Sequence, residues 1–360
     1  MNLTDGLTEH LHDLTPPPPD LDRVVRRGRN LRRARRTAQV AAGVLVVVVV
    51  GALGSTAALL RGGGGEDRVS VPPIATGPMD LSHGLRAYGD LGGQVRMGGR
   101  SFPAKDMQWL DTDAAATSAG LVFFQDGRPF LLGGDGHPKA LWDGPVDDPE
   151  GWHPTAKNDA TSPAVAFAVR DGDTVTLVVR NPLAERWTTL PVRCDGSAGC
   201  DGLVVDGIDS GVVFVRTSRG TFVWRHTSEE AKGLEPFAGP RTRVADVRHR
   251  TVLYDGPRPT VTLPGWTYVA GAIDAQLTFD GKHVLSWSPV LKSIGNDEAI
   301  TLDLPKDAQF FTVDTDGSIL AATTGDPARF FDCALPDGVC EPIGDLQMTG
   351  GDPLFIGNDM

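Results

Sequence analysis

The sequence predicts an all-β outer domain that is preceded by a single transmembrane helix and a short cytoplasmic tail. Three observations support this prediction. Residues 37–60 carry no charge, a cluster of arginines stands directly before them, and short apolar runs alternate with turn residues over 79–360. The chain has 360 residues, so the part after the apolar run is long enough for one large all-β unit or two small domains.

Residues 37–60 read TAQVAAGVLVVVVVGALGSTAALL. As a helix these residues would rise about 36 Å, which is enough to cross a hydrocarbon core of roughly 30 Å. Arginines before an apolar run stay on the cytoplasmic side, so residues 1–36 are expected inside and the C-terminal domain outside the cell membrane. The arginines are Arg23, Arg26, Arg27, Arg29, Arg32, Arg33, Arg35 and Arg36. A cleaved signal peptide is the alternative, but both the leader and the apolar run exceed ordinary signal lengths.

The cytoplasmic tail, residues 1–36, has an apolar stripe at helical spacing. The stripe consists of Leu3, Leu7, Leu11 and Leu14, and the prolines of 16–19 end the pattern. A helix this short is marginal alone in water. The stripe therefore indicates either a docking helix for a cytoplasmic regulator or a frayed tail. Residues 61–78, which contain four consecutive glycines, are predicted to be a flexible linker.

The charge of the chain is divided between two opposed parts. The net charge is −12, yet residues 1–36 carry eight arginines against five acidic residues, and Arg61 adds one more positive charge. The remaining 25 basic and 41 acidic residues give the rest of the chain a net charge of −16. A field of this sign repels nucleic acid, so a nucleic-acid partner is not expected. The arginine cluster is interpreted as a topology signal that contacts anionic lipid.

The outer domain shows repeated hairpins. Its apolar runs are separated by turns such as Asp126-Gly127, Asp171-Gly172 and Asp316-Gly317, whose residues accept the positive φ of tight turns. The apolar runs start near Leu121, Val165, Val212, Val252, Val284 and Leu320. This spacing is typical of four-stranded propeller blades. A β-propeller is therefore predicted over 79–360, with seven blades favoured and six as the alternative.

Four tryptophans recur at similar intervals along this domain: Trp142, Trp187, Trp224 and Trp266. We interpret them as rings packed between neighbouring blades, because one large side chain per repeat suits such an interface.

Residues 277–285, LTFDGKHVL, resemble the SPDG-plus-strand signature of WD40-like, TolB-type propeller repeats, with Thr278-Phe279 in place of the usual Ser-Pro. Residues 314–320 are a weaker match, and the Gly-His and Trp-Asp pair of true WD40 repeats does not recur along the chain, in which Trp142-Asp143 stands alone. The layout of tail, arginine-rich stretch, anchor and outer domain resembles actinobacterial single-pass membrane-anchored propeller proteins. This resemblance implies a propeller fold and transfers no catalytic residue.

The four cysteines form two short-range pairs, Cys194 with Cys200 and Cys333 with Cys340. Each intervening loop contains glycine and other turn residues, so the chain can fold back and form a disulfide. An extracytoplasmic location would permit both bonds. Three pairings are possible for four cysteines, and closure of the two local loops is favoured. Neither pair has the spacing of a zinc site.

No catalytic constellation is visible in the sequence. The chain lacks H-E-x-x-H and G-x-S-x-G, and Asp314 and Asp316 open no complete calcium loop, so we expect neither a metal nor a cofactor. The favoured function is non-catalytic binding of a protein, peptide or envelope ligand outside the cell. Transmembrane signalling through the tail, as anti-sigma proteins do, and a propeller enzyme of glycosidase, lactonase or lyase type remain alternatives.

Overall fold

The computed structural model of the protein describes residues 84–90, 94–103, 114–147, 152, 154–183, 186–193, 202–227, 233–272, 274–348 and 353–355. All of these residues belong to one unit, residues 72–360. The predicted tail (1–36), anchor (37–60) and linker (61–78) lie outside the described residues. Among the described residues, no helix has the length and apolarity needed to span a membrane.

Every regular element in the described part of the chain is a β-strand. The first fourteen are β1 (Tyr88–Asp90), β2 (Gln94–Met97), β3 (Arg100–Pro103), β4 (Ala115–Thr117), β5 (Gly120–Gln125), β6 (Arg128–Gly133), β7 (Pro138–Ala140), β8 (Ala156–Asn158), β9 (Val165–Asp171), β10 (Thr174–Asn181), β11 (Arg186–Arg193), β12 (Val204–Asp209), β13 (Val212–Thr217) and β14 (Gly220–Arg225). The others are β15 (Glu235–Ala238), β16 (Arg243–Arg248), β17 (Thr251–Asp255), β18 (Thr267–Ala270), β19 (Gln276–Leu277), β20 (His283–Ser286), β21 (Ser288–Ser293), β22 (Ala299–Thr301), β23 (Ala308–Val313), β24 (Ile319–Thr323), β25 (Ala328–Ala334), β26 (Val339–Met348) and β27 (Leu354–Phe355).

These strands form seven sheets, which are the blades of a β-propeller. Blade 1 has the strand order β27-β1-β2-β3, blade 2 is β4 to β7, blade 3 is β8 to β11, blade 4 is β12 to β15, blade 5 is β16 to β18, blade 6 is β19 to β22 and blade 7 is β23 to β26. The predicted all-β propeller is confirmed, and of the two blade numbers considered the structure has seven.

The ring is closed by strands from opposite ends of the domain. The innermost strands of successive blades lie side by side from β4 through β8, β12, β16, β19 and β23 to β27. β27 pairs antiparallel with β1, with Tyr88 opposite Phe355 and Gly89 opposite Leu354. The last described strand is therefore the innermost strand of blade 1, whose other three strands come from the beginning of the domain.

The core of the domain lies between the blades. The described buried apolar side chains form seven clusters, and each cluster joins two adjacent blades. The second strand of a blade contributes to two clusters at once: Leu121 and Phe123 face blade 1, whereas Val122 and Phe124 face blade 3. Alternate side chains point to opposite faces of a strand, so a strand buried on both faces must be apolar throughout.

This two-sided burial explains why the sequence pattern locates the second strands. The predicted apolar runs near Leu121, Val165, Val212, Val252, Val284 and Leu320 all fall on second strands, β5, β9, β13, β17, β20 and β24. The predicted turns at Asp126-Gly127, Asp171-Gly172 and Asp316-Gly317 each join two strands of one blade. Gly127, Gly172 and Gly317 have φ of 70°, 55° and 85°, which is the conformation that glycine accepts at low cost.

Blade 5 departs from the predicted series of hairpins. Its third strand, β18, runs parallel to β17. The connecting segment, residues 256–266, contains Pro257, Pro259 and Pro264, which have no N–H to donate to a sheet. Part of this segment lies instead against blade 4, where the Val261 N–H donates to the carbonyl of Phe237 at 3.1 Å. The chain therefore returns to the start of β17 before β18 pairs with it, which makes the two strands parallel. Blade 5 has three strands among the described residues.

The interpretation of the four tryptophans is only partly right. Trp224 is buried between blades 3 and 4, and Trp142 and Trp266 pack against the clusters of two other interfaces. For Trp187 the interpretation is wrong, because its side chain is 55% exposed on β11. The guanidinium of Arg180 lies 4.9 Å from the centre of this ring. The four rings occupy different places in their blades, so their regular spacing does not reflect one repeated position.

Candidate functional site

A narrow central channel runs between the innermost strands. Its described wall comes from segments of five of these strands, together with the turns that follow two of them. The lining residues are Ala114, Ala115, Ala116, Ala156, Lys157, Asn158, Arg248, Gln276, Phe279, Thr312, Val313, Asp314 and Thr315. The channel space is only about 40 Å³. Four of the lining side chains, Ala114 to Ala116 of blade 2 and Ala156 of blade 3, are small.

The channel widens at one end of the ring. We call this end the inner-turn face, because it carries the turns that join the innermost strand of each blade to the second strand. A cavity of about 230 Å³ opens there, and we call it the inner-turn recess. It is lined by Thr117, Ser118, Asn158, Asp159, Ala160, Thr161, Ser162, Pro163, Ala164, Phe279 and Thr315. The residues come from blades 2, 3, 6 and 7, so the recess exists only in the assembled ring.

Asp159 is the charged residue of the recess wall. It lies directly after β8 and is 7% exposed. Its Oδ1 accepts the N–H of Thr161 at 2.7 Å and the hydroxyl of Thr161 at 2.6 Å. No ion pair to Asp159 occurs among the described residues. Burial of a carboxylate without a cation is costly, so the oxygens of Asp159 require hydrogen-bond donors.

His226 is the titratable residue that interacts electrostatically with Asp159. Burial lowers the pKa of His226, and the negative charge of Asp159 opposes this shift only in part. The imidazole is therefore neutral near pH 7, because the ordinary pKa of histidine is already about 6.5. A neutral His226 supplies no positive charge to the neighbourhood of Asp159.

A second buried carboxylate, Asp206, stands on β12 at the point where a β-bulge shifts the register with β13. Its oxygens accept from Nε of Arg216 at 3.1 and 3.2 Å. Burial raises the pKa of Asp206 to about 6, although the positive charges of Arg216 and Lys157 favour the ionised form. Lys157 therefore acts on this carboxylate as well as lining the channel.

Carboxylates on the inner-turn face also join one blade to the next. Asp209 accepts the N–H groups of His249 and Arg250 in the inner turn of blade 5, at 3.0 and 2.8 Å. Asp314 of blade 7 accepts those of Leu85 and Arg86 before β1, both at 2.9 Å. The segments that donate these N–H groups contain positive φ at non-glycine residues, 48° at His249 and 46° at Arg86. The paired hydrogen bonds stabilise a backbone conformation that is uncommon for such residues.

The structure tests few of the residues singled out from the sequence. Cys333 and Cys340 form a disulfide between β25 and β26, where they are opposite each other with Cα atoms 3.9 Å apart. This bond joins the outer hairpin of blade 7, as predicted. Cys194 and Cys200 lie outside the described residues, as do the leucine stripe of the tail and the eight arginines. The turn predicted at Asp314 and Asp316 is confirmed, but the role of Asp314 between blades was not anticipated.

The residues of the recess were not predicted as a site. Phe279 was noted only because it replaces proline in a repeat signature, and that departure was the one available signal of a special position. Asp159 belongs to the sequence NDATSP, which reads as an ordinary turn. Within the described part of the chain, no group of three or more His, Cys, Asp or Glu residues could hold a metal ion.

Comparison with known proteins gives no functional assignment. No family model matches the chain, and no curated protein matches it. Among solved structures, the WD40 domain of Neurospora crassa Pan2 is similar over 67% of this chain and 86% of its own length, with 8% identity and a TM-score of 0.35. The AfRom2 CNH domain covers 73% of this chain and 98% of its own length, with 10% identity and a TM-score of 0.32. Likenesses this low carry no argument, and the seven-bladed architecture rests on the sheet order itself.

Proposed function

We propose that this protein is a membrane-anchored binding module whose propeller lies outside the cytoplasm and holds a protein, peptide or envelope ligand at the inner-turn face. The observation that carries the proposal is the inner-turn recess, which four separate blades build together. Concave sites with a few placed polar groups are the usual binding sites of proteins. In propellers, function resides in such sites and not in the fold.

The location is supported by the disulfide and by the sequence before the domain. The bond between Cys333 and Cys340 is of a kind that persists in oxidising compartments. The apolar run 37–60 and the arginines before it predict an anchor with the domain outside. The net charge of −16 after Arg61 also disfavours close contact with anionic lipid, which suits a domain held away from the membrane by the linker 61–78.

Binding is favoured over catalysis by the chemistry of the recess. Its wall combines hydroxyl groups, one amide, one carboxylate and one aromatic ring. This set can hydrogen-bond and pack against a ligand. The hydroxyl of Thr117 already donates to the carbonyl of Gly120 at 2.8 Å, and that of Thr161 donates to Asp159, so both serve the turns that shape the wall.

Topology is tested by adding protease to intact cells that produce the full chain with an N-terminal epitope tag. Cleavage beyond residue 70 with the tag protected is expected, and complete protection of the domain would contradict the proposed location. Binding is tested by placing a photo-crosslinking amino acid at Ser162, in the recess wall, with Asp173 on the opposite face as the matched control. We expect a discrete crosslinked product from position 162 only.

A further inference from the structure

The unpaired carboxylate of the inner-turn recess points to a class of ligand. We propose that the recess binds a cationic side chain, the ammonium of a lysine or the guanidinium of an arginine on a basic peptide segment, with Asp159 as its carboxylate. This inference rests on the proposed binding function and names the chemistry of the ligand at that same site.

The first argument is the state of Asp159. Its side chain is nearly buried, its Oδ1 is occupied by two hydrogen bonds from Thr161, and no hydrogen bond to its Oδ2 occurs among the described residues. An open carboxylate oxygen at the edge of a cavity is an acceptor that a charged donor would satisfy. Charge-assisted hydrogen bonds of this type are shorter and about twice as strong as neutral ones.

The second argument is the surroundings of Asp159. Asn158, Ser118 and Ser162 add oxygen acceptors to the recess wall, which suits the several N–H donors of an ammonium or guanidinium group. The ring of Phe279 also lines the recess, and a cation over an aromatic face gains further attraction. Ala160 and Pro163 offer apolar surface for the aliphatic part of a lysine or arginine side chain.

The third argument is the lack of a competing cation at the recess itself. Arg248 lies farther inside the channel, where its Nε is 3.0 Å from Asp246, and Lys157 acts on Asp206. On the inner-turn face Lys282 stands 3.8 Å from Asp280 of its own turn. The described basic groups nearby are therefore each engaged with another acid, while the net charge of −16 after Arg61 draws basic ligands towards the domain.

The test measures binding of an acetylated, amidated tetralysine peptide to the full-length protein in detergent, by isothermal titration calorimetry at low salt. Asp159→Asn is the decisive variant. An amide oxygen can still accept from Thr161, so the turn is retained while the charge is lost. Asp173→Asn removes an equal charge from an exposed position at the opposite face and serves as the control.

We expect Asp159→Asn to weaken binding of the peptide by about tenfold or more, because truncating one partner of a desolvated charge pair is costly. Phe279→Ala is expected to weaken binding less, and Asp173→Asn to leave it unchanged. Equal thermal melting of the variants would show that the fold is intact. Added salt should weaken binding only modestly, since a partly buried pair is screened less than an exposed one.

Two results would overturn the inference. One is that wild-type protein does not bind tetralysine, and the other is that Asp159→Asn binds it as well as wild type does. Binding of a neutral oligosaccharide such as chitotriose in place of the peptide would instead assign the recess to hydroxyl ligands. If crosslinking from Ser162 persists while tetralysine binding fails, the proposed binding function stands and the cationic ligand is wrong.

Discussion

Single carboxylates on the inner-turn face have different tasks that depend on what surrounds them. Asp209 and Asp314 each accept two consecutive backbone N–H groups from the next blade. Asp246 of blade 5 likewise accepts a backbone N–H from the next blade, that of Leu277 in blade 6, at 2.8 Å. Within the described part of the chain, the carboxylate of Asp159 accepts hydrogen bonds only from its own turn. The first three aspartates join blades, and the fourth is the one that we propose as the carboxylate of the binding site.

Asp314→Ala tests the joining role. The substitution leaves the N–H groups of Leu85 and Arg86 without an acceptor at the junction of blades 7 and 1. Unsatisfied buried donors cost about 1–3 kcal/mol each, so we expect the free energy of unfolding to fall by about 2 kcal/mol or more. Urea unfolding of the full chain followed by tryptophan fluorescence measures it. Asp297→Ala, at an exposed position, should change stability by less than about 0.5 kcal/mol; equal losses in the two variants would refute the role.

The contribution of Asp206 to the free energy of unfolding decreases as the pH rises. A carboxylate whose pKa is lowered by folding would have the opposite effect. Burial raises the pKa of Asp206 from 3.8 to about 6 in the folded protein. Between these values the folded state binds more protons than the unfolded state. The stabilisation from this group is therefore present at pH 4 and is lost as the pH rises through about 6.

We expect Asp206→Asn to remove this pH dependence. The full shift in the pKa of Asp206 corresponds to a gain in stability of at most about 3 kcal/mol for the variant relative to wild type. Part of this gain is offset because Arg216 loses its partner. Wild type and variant are compared by urea unfolding at several pH values from 4.5 to 7.5. The stability of the variant relative to wild type should increase across this range. A difference that stays constant with pH would contradict the raised pKa.

At the scale of the elements, the outer hairpin of blade 7 combines a disulfide with a buried core face. Cys333 is fully buried in the cluster between blades 6 and 7, and Cys340 packs against the same cluster. The bond joins two strands that are already hydrogen-bonded in register. It therefore limits fraying of the hairpin and closes a short loop in the unfolded chain.

Replacing both cysteines by alanine should lower the free energy of unfolding by about 2 kcal/mol, the value expected for closure of so short a loop. The double variant is preferable to a reducing agent, because a reductant would also act on any bond between Cys194 and Cys200. Urea unfolding of the full chain gives the difference. A variant as stable as the wild type would mean that the hairpin is held by its strand pairing and packing alone.

The elements also differ in how far the sequence could predict them. Second strands such as Val165–Asp171 are buried on both faces, and their continuous apolar runs identify them. The innermost strand Ala156–Asn158 has only three residues and is partly polar, so no periodicity marks it. The parallel strand of blade 5 depends on how residues 256–266 cross to blade 4, which is a tertiary effect. The burial of Asp159 likewise arises from blades that are distant in sequence.

At the scale of the whole molecule, closure of the ring is the feature on which the recess depends. Blades 2, 3, 6 and 7 contribute to the recess wall, and blade 1 lies between blades 7 and 2. Its innermost strand is the short β27. If β27 leaves, blade 1 loses its contact with β23 and the neighbouring blades can separate. A change far from Asp159 in sequence can thus alter the recess.

Phe355→Ala tests this dependence. Phe355 is 4% exposed and packs against the cluster between blades 7 and 1, with its ring centre 6.3 Å from that of Phe330. Truncation of a buried phenylalanine costs about 3–5 kcal/mol, and we expect a loss in this range by urea unfolding. Val339→Ala, at an apolar side chain that is 52% exposed, is the control and should cost less than about 0.5 kcal/mol.

Because the closing strand is only two residues long, we further expect Phe355→Ala to increase hydrogen exchange of the Tyr88 and Gly89 amides before global unfolding. If exchange at these amides stays at the wild-type rate, the ring is held at blade 1 by contacts other than β27.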